Sequence, residues 1–379
     1  MENLERLLQD QINASPKKAI SFSDWMEAAL YHERWGYYQQ QRVKIGKDGD
    51  FYTSPMVGDV FGRALALAIA EIGEKMFLDQ RMTLVEVGGG NGRLACQILD
   101  ALQGNPLYNR LTYTIVEQSP THRQMIEDMV QRHEKRVHII PSLTALSAFQ
   151  GIVLSNELLD AFPVHWLQFT DEAWEEIYVR WDEERQRFIE VLYPIEDEQI
   201  HDWVQQEQVQ AMVGQRMEVN LAMLQWQQQI SQLLERGYLI TIDYGLTREQ
   251  LYLPQRKHGT LRAFKEHQLD DELLSQPGQK DITSHVNFSQ WMERGEEHKL
   301  HTLRFMTQRE FLLSAGILQL IPTIHEREDP FSSNYKQLRA IQQLILPGGM
   351  GDQFMVCVQG KGEVSNQLSI IRPFKFTLG

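Results

Sequence analysis

The side chains best suited to chemistry are acids at the ends of apolar runs, together with one cluster of glycines. Glu86 precedes glycines at 88, 89, 90 and 92, and Glu117 closes the next apolar run, 25 residues past Gly92. Asn156, Glu157 and Asp160 lie at the end of a later run, and Asp243 lies at the end of another. Glycines clear Cβ atoms from places where backbone must pass close to a ligand. A carboxylate at a second strand end is placed to take both hydroxyls of a ribose. Several acids together can clasp a guanidinium, which pairs bidentately with carboxylates, and can take up its proton. The histidines at 258, 267, 285, 298 and 301 lack metal-ligand spacing, and Cys96 and Cys357 lie far apart, so no metal is expected. Of these histidines only His267 and His285 are kept as secondary site candidates.

These groups need elements to hold them. Thr83 to Val87 is short and apolar, as a central parallel strand should be, and the glycines follow as a turn. Leu94, Ile98 and Leu102 then recur at helical spacing, which aims helix N-terminal amides at the crevice above the sheet. Further strands are expected at Leu111–Glu117, Val137–Ile140, Gly151–Glu157 and Gly237–Gly245, with Ser119 and Pro120 starting a helix. Pro141 and Ser142 end the third strand where an adenine edge would lie. Alternating strands and helices of this kind make a doubly wound α/β sheet. The dinucleotide fingerprint needs a small third residue, and Arg93 stands there. The pattern Glu86, Gly88, Gly90, Gly92 instead resembles the first motif of class I S-adenosylmethionine (SAM) methyltransferases, where the acid helps hold the amino end of the methionine moiety. The fold expected is therefore the Rossmann-like α/β fold of that class, and a NAD-dependent oxidoreductase is the rival reading. Thr53 and Ser54 are candidate hydroxyl donors to a ligand carboxylate, with an ordinary helix cap as the alternative.

The rest of the chain falls around that core. Residues 1–80 are expected to form an N-terminal helical segment packed on the core, with helices over 3–13, after a cap at Ser23, and from Val57 to Ile72. The aromatics from Tyr31 to Tyr38 read as a small hydrophobic cluster. The core takes 81–164 and 236–360. Between them, 165–235 are expected to form an inserted α+β lobe for a substrate or partner. Its half-buried strands alternate at Val164–Phe169, Trp174–Arg180 and Arg187–Leu192, followed by an amphipathic helical stretch from Glu198 to Glu235 that Gly214 divides. Acids dominate 171–202, a solvated surface or a lip for a basic protein segment. Residues 361–379 are a tail.

Bulk properties narrow the function. Of 379 residues 42% are hydrophobic and 23% charged, enough apolar content for a large core. A net charge of -14 argues against a general nucleic-acid binder. No apolar run reaches membrane-spanning length, and the acidic start is unlike a secretory or transit peptide. A cytoplasmic protein with two reduced cysteines is expected.

Together these stretches resemble the MidA-like SAM-dependent methyltransferases, over about residues 20–358. The resemblance rests on Leu30-Tyr31-His32 with Gly36-Tyr37-Tyr38, on Gly49 to Pro55, and on Phe61-Gly62. The glycine loop, Ser155 to Val164, Asp243-Tyr244-Gly245, Asp281-Ile282-Thr283 and His285-Val286 complete it. Met56 stands where the family commonly has Glu, and Glu33 where Pro is usual. The resemblance implies a class I fold with an added lobe and SAM cradled by Glu86, Gly88, Gly90 and Gly92, with Glu117 on the ribose. Asn156, Glu157 and Asp160 would face the acceptor, and Glu157 would fix it while Asp160 or Asp243 receives the proton. The mitochondrial members assist assembly of respiratory complex I and methylate a protein arginine. The acceptor implied is thus an arginine-containing protein, an NADH dehydrogenase subunit being the first suspect. A non-catalytic assembly factor that keeps SAM as a structural ligand is the further alternative. The oligomeric state stays open, a homodimer being one compatible arrangement.

Overall fold

The computed structural model describes residues 3–40, 54–265, 268–325 and 329–374. Thr53, His267 and residues 49–53 of the Gly49 to Pro55 motif lie outside them.

Seven strands build the central sheet: β1 (Met82–Val87), β2 (Leu111–Val116), β3 (Val137–Ile140), β4 (Phe149–Asn156), β5 (Leu234–Leu246), β6 (His301–Thr307) and β7 (Phe354–Lys361). Their order is β6-β7-β5-β4-β1-β2-β3, and the short strand Val286–Asn287 extends the end of β5. Strands β1 to β5 pair in parallel, and β7 runs antiparallel between β5 and β6. The chain moves outward from β1 to β3, then returns to β4 on the other side of β1. That reversal opens a crevice at the strands' carboxyl ends, the place where open α/β sheets bind ligands. The doubly wound α/β sheet expected from the sequence is thus present.

Burial on both faces explains the apolar runs. Leu84, Ile152, Leu154 and Ile240 pack into one cluster, with helices α3 (Val60–Met76) and α4 (Arg93–Leu102) on that face. Their neighbours Val85, Val153 and Leu239 point into a second cluster with Trp226 and Trp291. Alternate residues thus serve opposite faces, the period-two rule of a strand. Helix α5 (Pro120–Val130) starts on Ser119, whose hydroxyl accepts the His122 N–H.

The inserted segment differs from expectation. Helix Glu198–Glu207 ends well before Gly214, strand Arg216–Val219 follows, and helix Leu221–Leu233 comes after it. The strand pairs with His165–Phe169, so a short piece of sheet interrupts the supposed helical stretch. Met217 and Val219 alternate inward there, a period that four residues are too few to show against two flanking helices. Strand Trp174–Asp182 pairs with Arg187–Pro194 and, at Tyr178 and Val179, with Ser21 and Ile20. Of the N-terminal helices expected on the core, only α3 packs there; α1 (Leu4–Ala14) and α2 (Phe22–Tyr31) instead bury Leu8, Ile12, Trp25 and Met26 against Trp166, Ile177 and Val179 of this sheet, whose apolar face they cover. Helix α2 is capped by Ser21, two residues before the expected Ser23, because Ser21 also ends the sheet pairing and its hydroxyl accepts the Asp24 N–H. Strand β6 gave no usable signal, since most of its residues are only half-buried.

Candidate active site

A cavity of about 490 Å³ opens at the carboxyl ends of β1, β2 and β4. Glu86, Gly88, Gly90, Glu117, Ser142, Asn156 and Glu157 all line it. Residues as far apart as 86 and 157 meet there because parallel strands point their carboxyl ends the same way.

The glycine loop needs glycine for two reasons. Gly88, Gly90 and Gly92 have φ of +77°, +54° and +77°, a region costly for side chains bearing Cβ. At Gly89 the obstacle is space, since a Cβ would come within 2.4 Å of Ile115 Cγ2. The Gly88 N–H donates to the Val116 carbonyl at 2.9 Å and the Gly92 N–H to the Gly89 carbonyl at 2.9 Å, which folds the turn directly into α4. Gly92 does not reach the cavity; its part is to turn the chain.

Two acids flank the loop. The Glu86 carboxyl is buried, accepts the Tyr113 hydroxyl at 2.7 Å and is pushed up to about 7, chiefly by burial. Glu117 accepts the Gly90 N–H at 3.1 Å and the Ser119 N–H at 2.8 Å, with His122 Nδ1 at 3.8 Å. Ser142 Oγ and Thr144 Oγ1 lie 2.6 Å apart at the end of β3.

The other wall carries the acid cluster. Glu157 has φ of +53°, unusual for a side-chain-bearing residue. Its carboxylate accepts the Asn156 amide at 3.0 Å and the Ser54 N–H. Burial first, then the Asp243 charge, raises Glu157 to about 8. Asp160 and Asp243 are buried behind it, both raised by removal from water, and Asp243 further raises Asp160. Three expectations change here. Asp243 does not line the cavity: its Oδ2 accepts the N–H groups of Leu158 and Leu159 at 3.1 and 2.8 Å and so pins the turn that presents Glu157. Asp160 is likewise buried beneath the wall, not in it. Ser54 is also absent from the lining, because its hydroxyl is engaged with the Gln308 amide at 3.1–3.2 Å. Of the secondary candidates, His285 lies in a small polar pocket with Glu218 and Tyr252, away from this cavity.

The structure adds residues read from sequence as mere packing. Tyr31 and Tyr38 stack at 5.4 Å in the cavity wall. The Tyr31 hydroxyl donates to the Ala161 carbonyl at 2.8 Å, and the Tyr38 hydroxyl to Asp281 at 2.7 Å. The N-terminal segment therefore closes the site. Trp226, stacked on Trp291 at 5.8 Å, supplies another wall from the inserted lobe. Only the apolar-hydroxyl character of the two tyrosines hinted at this, since buried Tyr needs a partner for its O–H.

The profile of a family described as S-adenosyl-L-methionine-dependent methyltransferases matches residues 64–306. The chain belongs to this MidA-like methyltransferase family. It is 26% identical over 360 residues to the mitochondrial protein arginine methyltransferase NDUFAF7 of Danio rerio, covering 88% of this chain and 82% of that one. The human protein of the same name is 25% identical over 359 residues, covering 88% and 78%. A crystal structure from Burkholderia thailandensis bound to S-adenosyl-homocysteine superposes with TM-score 0.87 at 28% identity, over 98% of this chain and 95% of that one. A native crystal structure from the same organism gives 0.84 at 28% identity, over 97% and 93%. This methyltransferase therefore uses SAM, and the NAD reading falls. The cavity fits that cofactor. Bare backbone at Gly88 and Gly90 leaves room for close approach, and carboxylates at Glu86 and Glu117 offer acceptors for an ammonium and for hydroxyls.

Proposed function

We propose that this methyltransferase acts on an arginine side chain of a protein, with a respiratory-complex subunit such as an NADH dehydrogenase subunit as its substrate. Glu86, Gly88, Gly90, Glu117 and Ser142 hold SAM, which when bound supplies a methyl group on a positively charged sulfur. The observation that carries the reading is Glu157. It is a cavity-lining carboxyl group, and the charges that act on it most strongly among the described residues are those of other acids, Asp243 and Asp281, which suits the spot to a cation. The arginine-methylating name of the mitochondrial relatives points the same way.

A guanidinium hides its nitrogen lone pair in delocalisation. Two hydrogen bonds to Glu157 favour a localised form and hold the acceptor nitrogen in one direction. The methylated product sheds one proton overall. Glu157, raised to about 8, is the wall group placed to receive it once it is ionised, above that pH or when a bound guanidinium draws its proton off. Asp243 orients Glu157 through the pinned turn and is a positioning residue. Tyr31 and Tyr38 screen the site from water.

Mass spectrometry of arginine methylation in cells with and without this gene tests the reading. A set of methylarginine peptides that disappears with the gene supports it, with NADH dehydrogenase subunits examined first. Identical methylarginine profiles overturn it. Transfer of labelled methyl from SAM to a small molecule or to RNA by the pure protein would overturn it in favour of another acceptor.

A further inference from the structure

We propose that Cys96, Asp100 and His133 form a binding site for one soft divalent metal ion of the zinc class, separate from the cofactor cavity. None of the three lines that cavity. Cys96 and Asp100 sit one turn apart on α4 and so share a face. His133 comes from the turn after α5. One ligand atom from each lies within 4.8 Å of the other two.

The spacings suit a tetrahedral ion. Bonds of about 2.3 Å to sulfur and about 2.0–2.2 Å to nitrogen or oxygen put neighbouring ligands roughly 3.3–3.6 Å apart. Here His133 Nε2 is 3.0 Å from Asp100 Oδ1, and Cys96 Sγ is 3.9 Å from Asp100 Oδ2. These are different oxygens of Asp100, and the three ligand atoms lie within 4.8 Å of one another, so an ion would have to draw the sulfur inward and part the histidine from the carboxylate. Water on the exposed Asp100 side completes four ligands.

The histidine is held as metal-bound histidines are. Tyr108 Oη lies 2.8 Å from His133 Nδ1, which fixes the ring and leaves Nε2 facing the carboxylate. A bare Nε2 and a carboxylate oxygen at 3.0 Å need a proton or a cation between them. The His133 side chain has no exposure, so the arrangement is built, not a chance meeting of surface groups.

Arg132 now serves the cluster. Its guanidinium donates to Cys96 Sγ at 3.0 Å and is paired with Asp100. A guanidinium gains little from a thiol, whereas a soft ion gains much from a thiolate. The Arg132 side chain is 58% exposed and can swing out into water. As the metal–sulfur bond forms, the Cys96 proton passes to solvent.

Titration of the full chain with Co²⁺ tests this. Expected are a near-ultraviolet thiolate-to-cobalt band and visible bands of a four-coordinate ion. Zinc should abolish both. The chain has two cysteines, and Cys357 is fully buried in β7, so the thiolate band must vanish in Cys96→Ser and persist in Cys357→Ser. His133→Ala removes a ligand and should weaken binding by more than the about tenfold that losing an outer-shell partner costs, and Arg132→Gln should tighten it. Melting curves and S-adenosyl-homocysteine binding of each variant report on folding. Absence of a thiolate band in the native chain, its survival in Cys96→Ser, or weaker binding in a folded Arg132→Gln would overturn the site and leave an arginine-held cluster. None of these outcomes bears on the arginine-acceptor reading.

Discussion

Glu117 and Gly90 are joined by a hydrogen bond of 3.1 Å, from the loop N–H to the Oε2 of the acid. The bond ties the end of β2 to the glycine turn after β1 and holds the Glu117 carboxylate across the cavity mouth. Its other oxygen holds the Ser119 N–H at the start of α5. One side chain thus sets both the cofactor loop and the neighbouring helix. Hydrogen bonds to a charged group are worth about 1.5–3 kcal/mol. Glu117→Ala should therefore weaken S-adenosyl-homocysteine binding by roughly ten- to a hundredfold and lower Tm, with Glu117→Gln in between. Calorimetry giving native affinity for Glu117→Ala would remove this residue from the cofactor site.

Glu157→Gln separates binding from transfer. The amide keeps the shape of the wall and its bonds to Asn156 and the Ser54 N–H can be partly kept, so cofactor affinity should change little. It can neither clasp a guanidinium with charge nor take a proton. Losses of about 10²–10⁴ in turnover are usual for a general base. Labelled methyl transfer measured at saturating SAM decides the matter, and native turnover would show that Glu157 is only structural.

Stability and activity should trade against each other at the same residue. Glu157 sits at φ of +53°, which costs about 1–2 kcal/mol for a residue bearing Cβ. It also buries a carboxyl beside Asp243. Glu157→Gly relieves both, so Tm should rise while methyl transfer is lost. A lower Tm would mean that the bonds from Asn156 and Ser54 outweigh the strain.

The pH dependence follows from the raised acids. Glu157 and Glu86 lie at about 8 and about 7 in the fold, against about 4.3 for an ordinary Glu. Between those limits the folded chain holds protons that the unfolded chain has released. The stability they contribute is full below the unfolded value and is lost as pH rises through the folded one. The Tm of the free protein should accordingly fall between pH 5 and pH 8, less steeply in Glu157→Gln. Activity should run the other way, with kcat/KM rising through about pH 8 as Glu157 gains its charge. A flat melting profile in the native chain would mean that these acids are ionised throughout.

The loop and the strand-end acids were legible because their chemistry is local. Glu86, Gly88, Gly90 and Gly92 are a contiguous pattern, and Glu117 and Glu157 end runs too apolar to be anything but buried strands. What local pattern cannot give is which carboxylate faces the cavity. Asp243 and Glu157 look alike in sequence, yet three backbone N–H groups, of Leu158, Leu159 and Tyr244, claim the first. The strand Arg216–Val219 was lost for a related reason: its partner is 48 residues away at Gln168. Tyr31 and Tyr38 looked like core because their hydroxyl partners, Ala161 and Asp281, are 130 and 243 residues distant. The Cys96, Asp100 and His133 grouping was invisible in the same way, with its histidine 33 residues beyond Asp100.

Gly89 offers the sharpest test of the loop. Unlike its neighbours it does not have a positive φ, so alanine is conformationally allowed there. The difficulty is Ile115 Cγ2, which would stand 2.4 Å from the new methyl, with Ile126 Cδ1 at 3.2 Å. Ile115 is fully buried in β2 and cannot step aside, so the loop must move toward the cavity. Gly89→Ala should thus lose S-adenosyl-homocysteine binding and a good part of its stability. Ile115→Ala alone opens a hole that costs about 2–5 kcal/mol. In the double variant the new methyl enters that hole, so the two losses should be markedly less than additive and cofactor binding should partly return. Strict additivity in calorimetry and melting would show that something other than this contact fixes glycine at 89.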